Sequence, residues 1–188
     1  MVIADPARPM RADARRNYDG IVAVARDAFK EHGPGAPLDD IAKRAGVGAG
    51  TLYRHFPTRE TLIEAVYRGE IAELSDRALK FTEELPPGEA LEAWIREQVA
   101  WSAQNRGLAT TLKASIEKGS ETFVWCMNRM RDAAGAVLRA AQEAGLVRPD
   151  VTVVDLLRLG HGVALAVEHA TPEETTRLLS VVFNGLRV

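Results

Sequence analysis

Apolar residues recur at helical spacing along almost the whole of this 188-residue chain, and no clear period-two alternation interrupts them. That confines the fold to the all-α class, since a half-buried strand needs alternation and an amphipathic helix needs one stripe. Ile21, Val24, Ala25, Ala28 and Phe29 form the first stripe, and "HGPG" at 32–35 ends it. A short helix follows around Leu38–Ala45, with Asp39 and Asp40 in a first turn whose dipole favours anions and Gly46 just past its end. Another short helix spans roughly Ala49–Phe56. Thr58 then caps a long pattern through Ile63, Val66, Tyr67, Ile71, Leu74 and Ala78, which "LPPG" at 85–88 closes. Leu91, Trp94, Ile95 and Gln98 mark the next helix, and a further one is expected over about 108–117. Phe123, Cys126, Met127, Met130, Ala134, Val137, Leu138 and Ala141 continue to Gly145. Asp150 is expected to cap the following helix, while Thr171, Pro172 and Glu174 supply the cap, first position and capping box of the last. "VTVV" at 151–154 is the one β-like run, too short to need a sheet. About nine helices result. They divide into a flexible arm at 1–14, a three-helix domain at 15–60, and a larger helical domain at 61–188.

The chemistry that composition permits is narrower still. Apolar residues make up 46% of the chain, enough for a sizeable core, yet no run approaches the roughly 18 apolar residues of a membrane span. The opening "MVIADPARPMRADARRN" lacks the apolar stretch of a secretory signal. A lone Cys126 excludes an internal disulfide and a cysteine-based zinc site and fits a reducing compartment, so a cytoplasmic location is expected. No Gly-rich phosphate loop, nucleophile elbow, zinc-ligand spacing or supported Cys/His dyad is present. The chain is therefore expected to be no enzyme and to carry no cofactor or metal. Net charge is −2, but residues 1–60 hold 10 Lys and Arg against 8 Asp and Glu, while the remainder holds 14 against 18. One small basic surface suffices for DNA, so the total decides nothing about a nucleic-acid partner.

The stretch "IAKRAGVGAGTLYRHFPTRETL" at 41–62 is the most informative. A seven- or eight-residue helix is marginal alone, yet this one carries Thr51, Tyr53, Arg54 and His55. Ile41, Ala42, Val47, Leu52 and Phe56 provide apolar contacts that lock the two short helices and dock them on the first. Ala45 and Gly46 allow a close turn, and Gly48, Ala49 and Gly50 keep the start of the second helix slim. This is the design of a helix-turn-helix, in which a supported helix presents its N-terminal residues to base edges in the major groove.

The run "LDDIAKRAGVGAGTLYRHFPTRETLIEAV" resembles the N-terminal signature of the tetracycline-repressor-like (TetR) family of transcriptional regulators over about residues 15–75. The resemblance implies an all-α homodimer with an effector-binding C-terminal region. It implies that Thr51, Tyr53 and His55 contact DNA and that Arg59 meets a phosphate. Arg15, Gly50 and Arg54 complete the expected DNA-binding set, Arg15 as part of an arginine-bearing arm suited to the minor groove. Where family members often carry Ser and then Lys, this chain has Gly48 and Ala49, and a frequent Ser or Thr is replaced by Ala36-Pro37.

The last two helices are apolar on more than one face, which implies a second copy. Leu156, Gly160, Val163, Ala164, Val167, Leu178 and Val182 are the expected dimer interface. Trp94, Phe123, Met127, Met130 and His161 are the candidate effector residues, since aromatic and thioether side chains line adaptable apolar cavities. Trp101 and Trp125 fall off the main stripes of their helices and read as surface or interface residues. The function expected is a repressor released from a palindromic DNA operator by a small, mostly apolar effector, without a membrane role. The rival reading is a small-molecule-binding helical protein or enzyme that never touches DNA.

Overall fold

The computed structural model describes residues 12–105, 107, 108, 110, 111 and 121–188. Among these, the helices run in order as α1 (Ala12–His32), α2 (Leu38–Arg44), α3 (Ala49–His55), α4 (Arg59–Glu84), α5 (Pro87–Gln104), α6 (Glu121–Glu143), α7 (Val153–Ala166) and α8 (Pro172–Leu186). Residues 107, 108, 110 and 111 are also helical, at the start of the helix expected over 108–117, most of which lies outside the described residues. No strand forms among the described residues. A single antiparallel bridge joins Val147 to Arg187, with the Arg148 N–H donating to Leu186 O at 2.9 Å. The fold is all-α, as the periodicity requires. The α1 helix begins at Ala12, inside the stretch 1–14 expected as an arm, because nothing from Ala12 to Tyr18 breaks a helix and Asp13 favours its first turn.

The chain divides after Val66 into two units. In the first, the α1 stripe of Ile21, Ala25, Ala28 and Phe29 is buried together with Ile41 and Ala42 of α2. Leu52 of α3, Phe56, and Leu62, Ile63 and Val66 of α4 complete that core. The end of α2 shows why Gly46 is needed. It adopts φ +69°, its N–H donates to Lys43 O, and Val47 N–H reaches back to Ala42 O at 3.0 Å. That is a Schellman closure, and its left-handed residue is a conformation glycine adopts without steric cost. Gly145 ends α6 in the same way, at φ +69° with Leu146 N–H donating to Ala141 O.

In the second unit α5 packs on α6 and α7, α6 packs on α7, and α7 packs on α8. The core there runs through Ile71, Leu74, Trp94, Ile95, Val137, Leu138, Leu156 and Phe183. The cap of α7 differs from expectation. Thr152, not Asp150, forms a capping box with Asp155, and Asp150 instead pairs with Arg148. Only Thr152 has a carboxylate three residues on to return the hydrogen bond. Thr171 and Glu174 form the expected box at α8.

Candidate nucleic-acid interface

Seven-residue helices do not hold themselves together, and α3 receives no side-chain cap at Gly48. Its position comes from its neighbours. Leu52 and Phe56 are 1% and 2% exposed beneath it. Tyr18 of α1 lies 5.0 Å from the Phe56 ring and 6.0 Å, edge-on, from His55. With one face clamped, the other is presented. Gly48, Ala49, Gly50, Tyr53 and Arg54 are exposed, and Thr51 and His55 are half-buried at the margins. Arg54 folds back along the helix, donating through Nε to Gly50 O at 3.1 Å and through Nη2 to Thr51 Oγ1 at 3.3 Å. A guanidinium and a hydroxyl thus sit side by side near the N-terminal end, with the Thr51 O–H still able to donate. The glycines leave that end open, with no atom near where a Cβ would stand at Gly48 or Gly50. Arg15 is exposed near the start of α1 and pairs loosely with Asp19 at 3.9 Å.

Arg59 is placed differently from its expected phosphate role. It is half-buried, and its Nη1 donates to Pro34 O at 3.0 Å and to Ala36 O. It ties the first turn of α4 to the loop between α1 and α2. No local sequence signal marks that pairing across 25 and 23 residues.

The residues expected in the second unit separate into three groups. Trp94 is fully buried in the core with its indole N–H on Leu74 O at 3.3 Å, and Met130 is buried in the same core. Phe123 and Met127 are half-buried, and His161 is exposed. Leu156, Gly160 and Ala164 are buried by this chain's own core, so they cannot form the outer face of α7. Both faces of α7 are apolar, and spacing alone does not say which one turns inward. Val163, Val167 and Val182 are half-buried at the edge, and Leu178 is exposed. The outward surface is instead made of Leu159, Gly162, Leu165, Ala166, Leu178 and Val181, Val181 being 70% exposed. Trp101 and Trp125 are not free surface residues: both are half-buried against the core, Trp101 on Tyr67 and Trp125 under the Arg68 guanidinium.

A propped short helix with hydrogen-bonding groups on its open side, in an all-α chain with a separate helical unit, defines a DNA-binding transcriptional regulator of the helix-turn-helix type. Comparison with known proteins narrows this. Residues 21–66 match the family described as bacterial regulatory proteins, tetR family, and residues 86–188 match the C-terminal domain of SbtR-like transcriptional regulators. A TetR transcriptional regulator structure from Streptomyces coelicolor is 40% identical over 90% of this chain and 98% of its own, with a TM-score of 0.74. A TetR regulatory protein from Mycobacterium vanbaalenii is 36% identical over 96% of this chain and 100% of its own, with a TM-score of 0.75. The transcriptional regulator UidR of Escherichia coli is 26% identical over 171 residues, 85% of each chain. The chain belongs to the TetR family of transcriptional regulators. Among the described residues no helix is long and apolar enough to cross a membrane.

Proposed function

We propose that this regulator is a homodimeric repressor that binds a palindromic operator through α3 and leaves it when a small, mostly apolar molecule enters the C-terminal unit. The observation that carries the DNA reading is that Tyr53 and Arg54 are exposed, with Thr51 half-buried beside them, on a helix held by Leu52 and Phe56. Tyr53, 46% exposed, offers a hydroxyl to a phosphate, and phosphate contacts set register. His55 contributes from the margin. Arg15 and the arm before it approach the minor groove, although residues 1–11 lie outside the described residues. The second copy covers the outward face of α7 and α8, where Leu159, Leu165, Leu178 and Val181 form a surface that a lone chain leaves in water. A two-fold pair places two reading helices about one DNA turn apart, roughly 34 Å. Release follows from a preference of the effector for a different packing of the C-terminal helices. A preference of about 1–3 kcal/mol gives roughly 5–150-fold coupling.

Selection from a random double-stranded library, followed by anisotropy titrations across salt, tests this. The expected result is an enriched palindrome bound by the dimer, with affinity falling steeply as salt rises. Tyr53→Ala should lower that affinity by at least tenfold and leave dimerisation intact. Equal, salt-insensitive binding to every fragment would rule the proposal out.

A further inference from the structure

Five polar residues are buried among the described residues, and all five belong to the C-terminal unit: Glu70, Ser75, Gln98, Asn105 and Thr122. Glu70 and Asn105 converge. Trp101 Nε1–H donates to Glu70 Oε2 at 2.9 Å, and Asn105 Nδ2–H approaches the same oxygen at 3.5 Å. Asn105 Nδ2 also donates to Trp101 O at 3.1 Å. Both partners are acceptors, so the amide nitrogen must face them, and the orientation of the group follows without ambiguity. Its Oδ1 is then turned away from both and has no hydrogen-bond partner among the described residues, in a residue only 2% exposed. Two ring systems flank the cluster, Tyr67 and Trp101, with centroids 5.6 Å apart. Burial pushes the Tyr67 hydroxyl up to about 12, with Cys126 of α6 adding to the effect, so the phenol stays neutral there. Helix bundles bury polar groups in satisfied networks, and an unpaired buried acceptor calls for a reason.

We propose that Asn105 and Glu70 form the polar end of the effector site, and that the effector is a small ring compound donating a hydrogen bond through a hydroxyl or amine group. The inference rests on the effector-responsive reading above and specifies the chemistry of that site. Asn105 Oδ1 takes the donated hydrogen. The Glu70 carboxylate beside it repels a carboxylate ligand and favours an amine or hydroxyl. Tyr67 and Trp101 supply aromatic surface for the ring.

The test uses the full chain with four probes of similar size: benzyl alcohol, benzylamine, toluene and benzoate. Thermal shift and tryptophan emission are read for the wild type and for Asn105→Leu, with operator anisotropy in parallel. Benzyl alcohol or benzylamine should bind the wild type at least tenfold more tightly than toluene, and benzoate should not bind. Asn105→Leu should lose that tenfold preference and still bind operator. A tenfold preference kept unchanged in Asn105→Leu would overturn the proposal. So would equal binding of toluene or benzoate, or no binding of any probe, which would leave a protein-bound water as the donor to Oδ1. In each of those cases intact operator binding keeps the regulator reading, while failure of the wild type to bind operator sinks that reading instead.

Discussion

Arg59→Ala separates two physical roles that operator affinity alone would confuse. The loop it holds contains Pro34 and Pro37, which lack N–H groups, and Gly33 at φ +71°, so few internal hydrogen bonds fix it. One is Ala36 N–H to Gly33 O at 3.2 Å. The guanidinium supplies two more, to Pro34 O and Ala36 O. Hydrogen bonds from a charged group contribute about 1.5–3 kcal/mol each. These two share one nitrogen on a half-buried side chain, and ordering an arginine costs entropy, so about 1–2 kcal/mol is the expected net loss. For a chain of this size that lowers Tm by roughly 2–8 °C. If the loop must be re-ordered for α2 and α3 to dock on DNA, the same energy appears as a factor of about 5–30 in operator affinity per subunit. The deciding measurement is the salt dependence. Each phosphate contact contributes about 0.9 to the slope of log K against log salt. A latch leaves that slope unchanged in Arg59→Ala, whereas two phosphate ligands in a dimer remove about 1.8 from it. A slope reduced by that amount with an unaltered Tm would refute the latch and restore the phosphate role.

Other perturbations report on the remaining parts. A Cβ at Gly160 would stand 2.0 Å from Gln98 Oε1, and Gln98 is buried with its Nε2 on Leu157 O. Gly160→Ala should therefore cost about 1–3 kcal/mol in urea unfolding despite a better helix former, and less in a Gln98→Ala background. The raised Tyr67 hydroxyl makes the folded chain hold a proton that the unfolded chain releases. Stability should be unaffected by this group below about pH 10 and fall as pH rises from there towards about 12. Tyr67→Phe should remove that alkaline component, as followed by 295 nm absorbance and melting. At α7 the Thr152 hydroxyl and backbone hold Asp155 below the usual carboxylate range. Its contribution is present above about pH 4 and lost as pH falls through the lowered value, so Asp155→Asn should depress Tm at pH 7 and have no effect in strong acid.

What was legible in the sequence was local. The α1 stripe, Gly46 and Gly145 at helix ends, and Thr171 with Glu174 each act within a turn or two, and spacing and residue type decide them. What was not legible depends on partners far along the chain. Asn105 meets Glu70 across 35 residues, and Arg59 meets Pro34 across 25. A period of 3.6 says that Leu156, Gly160 and Ala164 share one face of α7. It cannot say whether that face meets α5 or a second subunit, because both surroundings reward the same apolar residues. The choice between Asp150 and Thr152 as cap turned on a reciprocal partner, Asp155, which a search for single capping residues passes over.

The glycines at the start of α3 show how function can be separated from folding at one place. Gly46 is required by the backbone, since φ +69° disfavours any side chain. Gly48 has φ −71° and ψ 151°, an ordinary extended conformation, and both it and Gly50 face open space. Neither conformation nor packing therefore asks for glycine at these two positions, and a serine at Gly48 would even gain a cap worth a few tenths of a kcal/mol. A helix this short, with its own end uncapped, takes its order from Leu52, Phe56 and Tyr18 beneath it. Its outer surface is consequently free to be shaped by what it touches. Bare backbone at Gly48 and Gly50, beside the Thr51 hydroxyl and the folded-back Arg54, allows close approach of a phosphate chain, and a propped helix supplies that approach at a fixed angle.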